Sequence, residues 1–141
     1  MTAEPQAKRI LVIEDERVIG ETLVKIFLAA GYDSRHSGSA EEALAMLEDK
    51  LWSPEFALID VSLPGMNGID LAIRFRADYP KCHIALFSGE SSISNLLERA
   101  EQDGYQFRIL AKPVHPTDLL ELICQALSAS KESDVKSQDT A

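Results

Sequence analysis

Residues 56–68 read FALIDVSLPGMNG, and this stretch decides the fold. Apolar Phe56, Ala57, Leu58 and Ile59 run without a break into an acid, Asp60, and then into a loop marked by Pro64, Gly65, Asn67 and Gly68. A short continuous apolar run closed by turn residues describes a strand buried on both faces, as in a parallel sheet. Asp60 then stands at the carboxyl end of the strand, the edge where open α/β sheets hold their ligands. A carboxylate on such a rigid edge is able to act as metal ligand, base or nucleophile. A turn-initiating aspartate bonded to its own loop is the competing account, and the residues outside this stretch have to decide.

The same design recurs towards the N-terminus, where KRILVIEDE (8–16) carries Ile10, Leu11, Val12 and Ile13 into Glu14 and Asp15. Ile19, Leu23, Ile26, Phe27 and Ala30 then recur at helical spacing, with Gly31 as the stop. A short strand is expected over 32–36. Ser39 and Glu42 form a capping box ahead of a second helix carrying Ala40, Ala43, Leu44 and Leu47. Trp52 and Pro54 shape the connection into the central strand. Beyond it, Ile69, Ala72, Ile73 and Arg76 mark a third helix that Pro80 ends.

HIALFS (83–88) is a fourth strand, closing on Ser88. Ile93, Leu96, Leu97 and Ala100 predict a fourth helix finishing near Gly104. Residues 107–111 are a fifth strand followed by Lys112 and Pro113, and Leu119, Leu120, Ile123, Ala126 and Leu127 mark a last helix with Pro116 in its first turn. Strands alternating with helices long enough for right-handed crossovers mean a doubly wound, five-stranded parallel α/β sheet with five helices, a (βα)5 fold. Residues 1–7 are expected to be a flexible terminus, 8–128 one domain and 129–141 a disordered polar tail.

A chain of 141 residues has room for one such core. No apolar run approaches the roughly 20 residues of a membrane span, and the opening MTAEPQAKR lacks the apolar core of a signal peptide. A cytoplasmic location without membrane insertion is therefore expected. Cys82 and Cys124 are isolated, which disfavours disulfide and zinc readings. With 14 basic against 23 acidic residues the net charge is −9, which argues against direct nucleic-acid binding.

In a parallel sheet all strand ends lie on one edge, so Glu14, Asp15, Asp60, Ser88 and Lys112 converge there. Converging carboxylates repel one another unless a cation is present. An oxygen-only donor set suits Mg²⁺, which often also takes a phosphate oxygen. A lysine would neutralise anionic charge and a serine hydroxyl would hydrogen-bond a ligand oxygen. Such parts are able to hold a phosphoryl group while Asp60 attacks phosphorus.

LVIEDE, IDVSLPGMNGIDL, FSG and AKP together resemble the receiver domain of bacterial two-component response regulators, of the CheY-like single-domain type, over about Lys8 to Leu127. The resemblance implies a flavodoxin-like topology in which Asp60 is the phosphoacceptor and Glu14 and Asp15 are the acidic pair. It further implies that Asp15, Asp60 and the Ser62 backbone carbonyl bind Mg²⁺, with Glu14 reaching the ion through water. Ser88 would be the hydroxyl switch, Lys112 would contact the phosphoryl group, and the Lys112–Pro113 peptide would be cis. Ser62 and Glu90 would tune dephosphorylation.

The implied donor is a histidine kinase or histidine phosphotransfer protein, and the chain would be no enzyme beyond catalysing its own phosphorylation and dephosphorylation. With no DNA-binding domain read after Ser128, output is expected through protein contacts, by way of the fourth helix, the fifth strand and the last helix. Glu98, Glu101 and Asp103 are read as a solvated helix face adjoining that surface, with docking of a partner as the alternative. One departure stands out: Ile109 occupies the position where the family usually has an aromatic switch residue. His36, His83 and His115 are read as surface or packing residues.

Two other functions compete. A haloacid-dehalogenase-type phosphatase would need a second Asp at Ser62, and a flavodoxin-like cofactor binder would need a Ser/Thr/Gly phosphate loop where this chain has EDER. A phosphorylation-independent receiver-like adaptor is the remaining alternative, which Ile109 favours and the intact Asp15, Asp60 and Lys112 oppose.

Overall fold

The computed structural model describes residues 6–89, 98, 101–104 and 107–136. Its strands are β1 Arg9–Ile13, β2 Asp33–Ser37, β3 Phe56–Asp60, β4 His83–Ser88 and β5 Arg108–Ala111. Its helices are α1 Arg17–Ala29, α2 Ala40–Met46, α3 Gly68–Asp78 and α4 Pro116–Lys136. The five strands form one parallel sheet in the order β2-β1-β3-β4-β5. The central strand is β3, buried at all five positions, which is why its sequence does not alternate.

Alternate residues of the strands feed two cores. Leu11, Ile13, Ala57 and Ile59 pack against α2 and α3 through Ala43, Leu71 and Phe75. Ile10, Val12, Leu58 and Phe87 pack on the other face against Phe27 of α1 and Leu119 and Ile123 of α4. The helix ends follow the sequence signals. The Ser39 side chain accepts the Glu42 N–H at 3.0 Å, Gly31 adopts φ +97° after α1, and Pro116 opens α4.

Two expectations need amendment. Among the described residues the helices with defined bounds number four rather than five. Of the helix expected around Ile93, Leu96, Leu97 and Ala100, those four residues lie outside the described ones, while Glu98, Glu101 and Gln102 have helical backbone. The last helix also continues to Lys136, into the stretch expected to be a disordered tail. Ser128, Ala129, Ser130 and Lys131 contain neither glycine nor proline, so nothing in them breaks the helical ladder. No helix among the described residues is long and apolar enough to cross a membrane.

Candidate functional site

Strand register brings the loaded residues together. Ile13 pairs with Ile59, Asp60 with Phe87, and Ser88 with Ala111. Glu14, Asp60, Ser88 and Lys112 therefore leave four adjacent strands at one edge. Lys112 is tied there by its backbone, whose N–H donates to the Ser88 carbonyl at 2.9 Å. Its Nζ donates to Glu14 Oε1 at 2.8 Å and to Asp60 Oδ2 at 3.2 Å. The Lys112–Pro113 peptide is cis.

Asp60 is 3% exposed, and its Oδ1 accepts the Ser62 N–H at 3.0 Å. The turn-forming role weighed for a lone Asp is thus real and coexists with the shared site. The chain can pass so close to Asp60 because residue 68 is glycine: a Cβ there would collide with the Asp60 carbonyl and the Val61 Cα. Gly68 N–H donates to the Val61 carbonyl at 3.0 Å and starts α3 beneath the site. From the side, Glu41 Oε2 accepts the Met66 N–H at 3.0 Å, fastening this loop to the start of α2.

Glu14 is fully buried and accepts the Glu16 N–H at 3.1 Å through its second oxygen. Burial pushes its carboxyl up to about 7, against a smaller downward pull from Lys112. Burial pulls the Lys112 ammonium down, but its bonds to Glu14 and Asp60 outweigh that, and its pKa stands raised. Asp15 is exposed beside them, and one carboxylate oxygen from each of Glu14, Asp15 and Asp60 lies within 4.8 Å of the others. Oxygen donors at this spacing, one exposed and two buried, fit a hard divalent cation such as Mg²⁺.

Ser88 is buried at the end of β4, and Ser62 is exposed beside Asp60. Ile109, at the position of the family's aromatic, is 41% exposed on β5. Glu98, Glu101 and Asp103 are exposed as expected, whereas Glu90 lies outside the described residues. Of the histidines, His115 Nδ1 accepts the Thr117 N–H at 3.1 Å near the start of α4.

His36, read as a surface or packing residue, does pack, whereas Phe87 was not singled out from the sequence. His36 Nε2 lies 2.7 Å from the Glu14 carbonyl oxygen, and its ring occupies the space that a Cβ at Gly20 would fill. A glycine in the middle of an amphipathic helix was the available signal. The Phe87 ring lies beneath the Lys112 ammonium, 4.6 Å from Nζ to centroid.

The family model described as the response regulator receiver domain matches residues 10–124. The chain is 32% identical over 124 residues to the response regulator receiver protein CpdR of Brucella abortus, covering 87% of this chain and 99% of that protein. It is 29% identical over 119 residues to the response regulator protein FleR of Pseudomonas aeruginosa, covering 84% of this chain and 24% of FleR. The chain thus spans about a quarter of FleR, and about half of the DNA-binding response regulator MtrA of Mycobacterium leprae. Among solved structures, the CheY-like receiver domain protein of Methanospirillum hungatei superposes with a TM-score of 0.79 at 29% identity, covering 90% of this chain and 98% of that one. The chain therefore belongs to the response regulator receiver domain family of two-component systems.

Proposed function

We propose that this receiver accepts a phosphoryl group on Asp60 from a histidine kinase or histidine phosphotransfer protein in the cytoplasm, and passes the signal on through protein contacts. The observation that carries the reading is the Asp60 carboxylate, held 3.2 Å from the Lys112 ammonium and clustered with the carboxylates of Glu14 and Asp15. In the transfer, an Asp60 oxygen attacks phosphorus, the phosphorus–nitrogen bond of the donor phosphohistidine breaks, and the imidazole leaves with the electron pair. The product is an acyl phosphate that water later hydrolyses. Ser62 N–H orients the carboxylate, and Lys112 balances charge on the phosphoryl oxygens.

Asp15, Asp60 and the Ser62 carbonyl would hold Mg²⁺, with Glu14 behind them. When bound, the ion would supply charge neutralisation between the carboxylate and the incoming phosphoryl group. Ser88 and Lys112, on adjacent strands, would be drawn towards the new phosphoryl charge and bias an existing equilibrium of β4, β5 and the helices beside them.

Intact-mass measurement after incubation with a small acyl phosphate and Mg²⁺ tests the reading. One phosphoryl adduct is expected on the wild type, and none on Asp60→Asn or after chelation with EDTA. A folded wild type without an adduct would overturn it. The exposed Ile109 favours a second reading, a receiver-shaped adaptor whose partners bind regardless of phosphorylation. Membership of the receiver family leaves the phosphatase alternative without support.

A further inference from the structure

The Lys112 ammonium has two different kinds of neighbour. Glu14 Oε1 and Asp60 Oδ2 face it at 2.8 and 3.2 Å, and the Phe87 ring presents itself with 4.6 Å from Nζ to the centroid. That distance is well inside the range of about 6 Å over which a ring's negative face attracts a cation. Phe87 is 3% exposed and pairs in register with Asp60 on one side and Leu110 on the other. Phe87 and Lys112 also line an apolar cavity of about 230 Å³ together with Leu58, Pro113 and Leu119. The aliphatic stem of Lys112 is thus held among apolar groups, while its head is partly desolvated, at 23% side-chain exposure.

The two attractions differ in what uses them up. On the proposed reading the carboxylates would also engage a cation and a phosphoryl group, and each engagement would weaken their hold on Lys112. A ring quadrupole carries no formal charge, takes no metal and accepts no phosphoryl group, so its attraction persists through those changes. We propose that Phe87 is a positioning residue: its ring is a neutral seat that keeps the Lys112 ammonium beside Asp60 while the carboxylates are otherwise occupied. An aliphatic residue of similar volume would fill the core equally well and give no such seat.

The role in phosphorylation rests on the reading of Asp60 as acceptor, whereas the seat itself does not, so the experiment has two arms. The first is proton NMR of the Lys112 ε-methylene and ammonium groups in unphosphorylated protein, assigned by their loss in Lys112→Arg. These signals should lie upfield of the other lysines in wild type and Phe87→Tyr, and return to ordinary positions in Phe87→Leu and Phe87→Met. The second is the rate of Asp60 phosphorylation by a small acyl phosphate in Mg²⁺. Phe87→Leu and Phe87→Met should slow the maximal rate by about tenfold, the size of one partly desolvated cation–π contact. The half-saturating donor concentration should stay unchanged, and Phe87→Tyr should remain within about twofold of wild type.

Ordinary Lys112 signals in wild type would overturn the seat. Equal rates in wild type, Phe87→Leu and Phe87→Met, or an equal loss in Phe87→Tyr, would reduce Phe87 to packing. If Phe87→Leu does not fold, Phe87→Met decides. A wild type that takes no phosphoryl group defeats the Asp60 reading instead, and the NMR arm still judges the seat.

Discussion

Lys112 Nζ lies 2.8 Å from Glu14 Oε1 although 98 positions separate the two in the chain. The contact joins the ends of the first and last strands and sets a lysine against a carboxylate with no exposure of its own. Replacing Lys112 with Met leaves Glu14 and Asp60 facing each other without that cation. At about pH 8 the substitution should cost about 1–3 kcal/mol, the cost of a buried polar group left unmatched. At about pH 5 the loss should shrink, because a protonated Glu14 needs no counter-charge. Urea denaturation at the two pH values checks this.

Glu14 itself predicts a pH dependence. Burial raises its carboxyl from 4.5 to about 7, so the folded protein holds a proton that the unfolded chain has released. Its contribution to stability is full below pH 4.5 and disappears as pH climbs through about 7. Without divalent cations, wild type should lose stability relative to Glu14→Gln over that window. A cation competes with the same proton, so Mg²⁺ affinity should rise about tenfold between roughly pH 6 and pH 8. Glu14→Gln should flatten the rise, as read by calorimetric titration.

Gly68→Ala should be costly out of proportion to its size. Its methyl would strike the Asp60 carbonyl and the Val61 Cα, backbone that cannot yield without moving the acceptor strand. A loss of about 1–3 kcal/mol is expected, with phosphorylation of Asp60 slowed even in the fraction that folds. Gly38→Ala is the control, because there a Cβ meets nothing closer than Glu42 Oε2 at 3.5 Å. Thermal melts and phosphorylation rates of the two variants should diverge.

Glu41 offers a test of the loop that carries Ser62. Its carboxyl is held below the usual range by the Met66 N–H, and it packs against Gly65 at φ +72°. Glu41→Ala should speed hydrogen exchange at the Met66 amide and weaken Mg²⁺ binding, while the amides of β1 and β3 keep their protection. Equal exchange in both proteins would mean that the loop holds itself.

The three central strands were legible because burial on both faces writes an unbroken apolar run, and residues 10–13, 56–59 and 84–87 each show one. The convergence of Glu14, Asp60 and Lys112 followed from topology alone, since a parallel sheet has one carboxyl edge. Phe87 was hidden by the same logic: within HIALFS it reads as one more core residue, and only the path of Lys112 over its ring sets it apart. His36 was read as a surface or packing residue, but its contact to Glu14 was not legible, because a backbone carbonyl partner leaves no trace in side-chain identity. The extension of α4 to Lys136 was missed because small polar residues permit helix without demanding it.

Trp52 is the chain's single tryptophan, and it lies at the opposite end of the sheet from Asp60. Its indole N–H donates to Asp33 Oδ2 at 2.9 Å at the start of β2, and the Arg35 guanidinium stands 4.6 Å from its ring centroid. Indole emission from this protein is therefore a readout of whether the sheet is assembled. An investigator who follows fluorescence gains a clean unfolding signal, and needs a different reporter for events at the acidic edge.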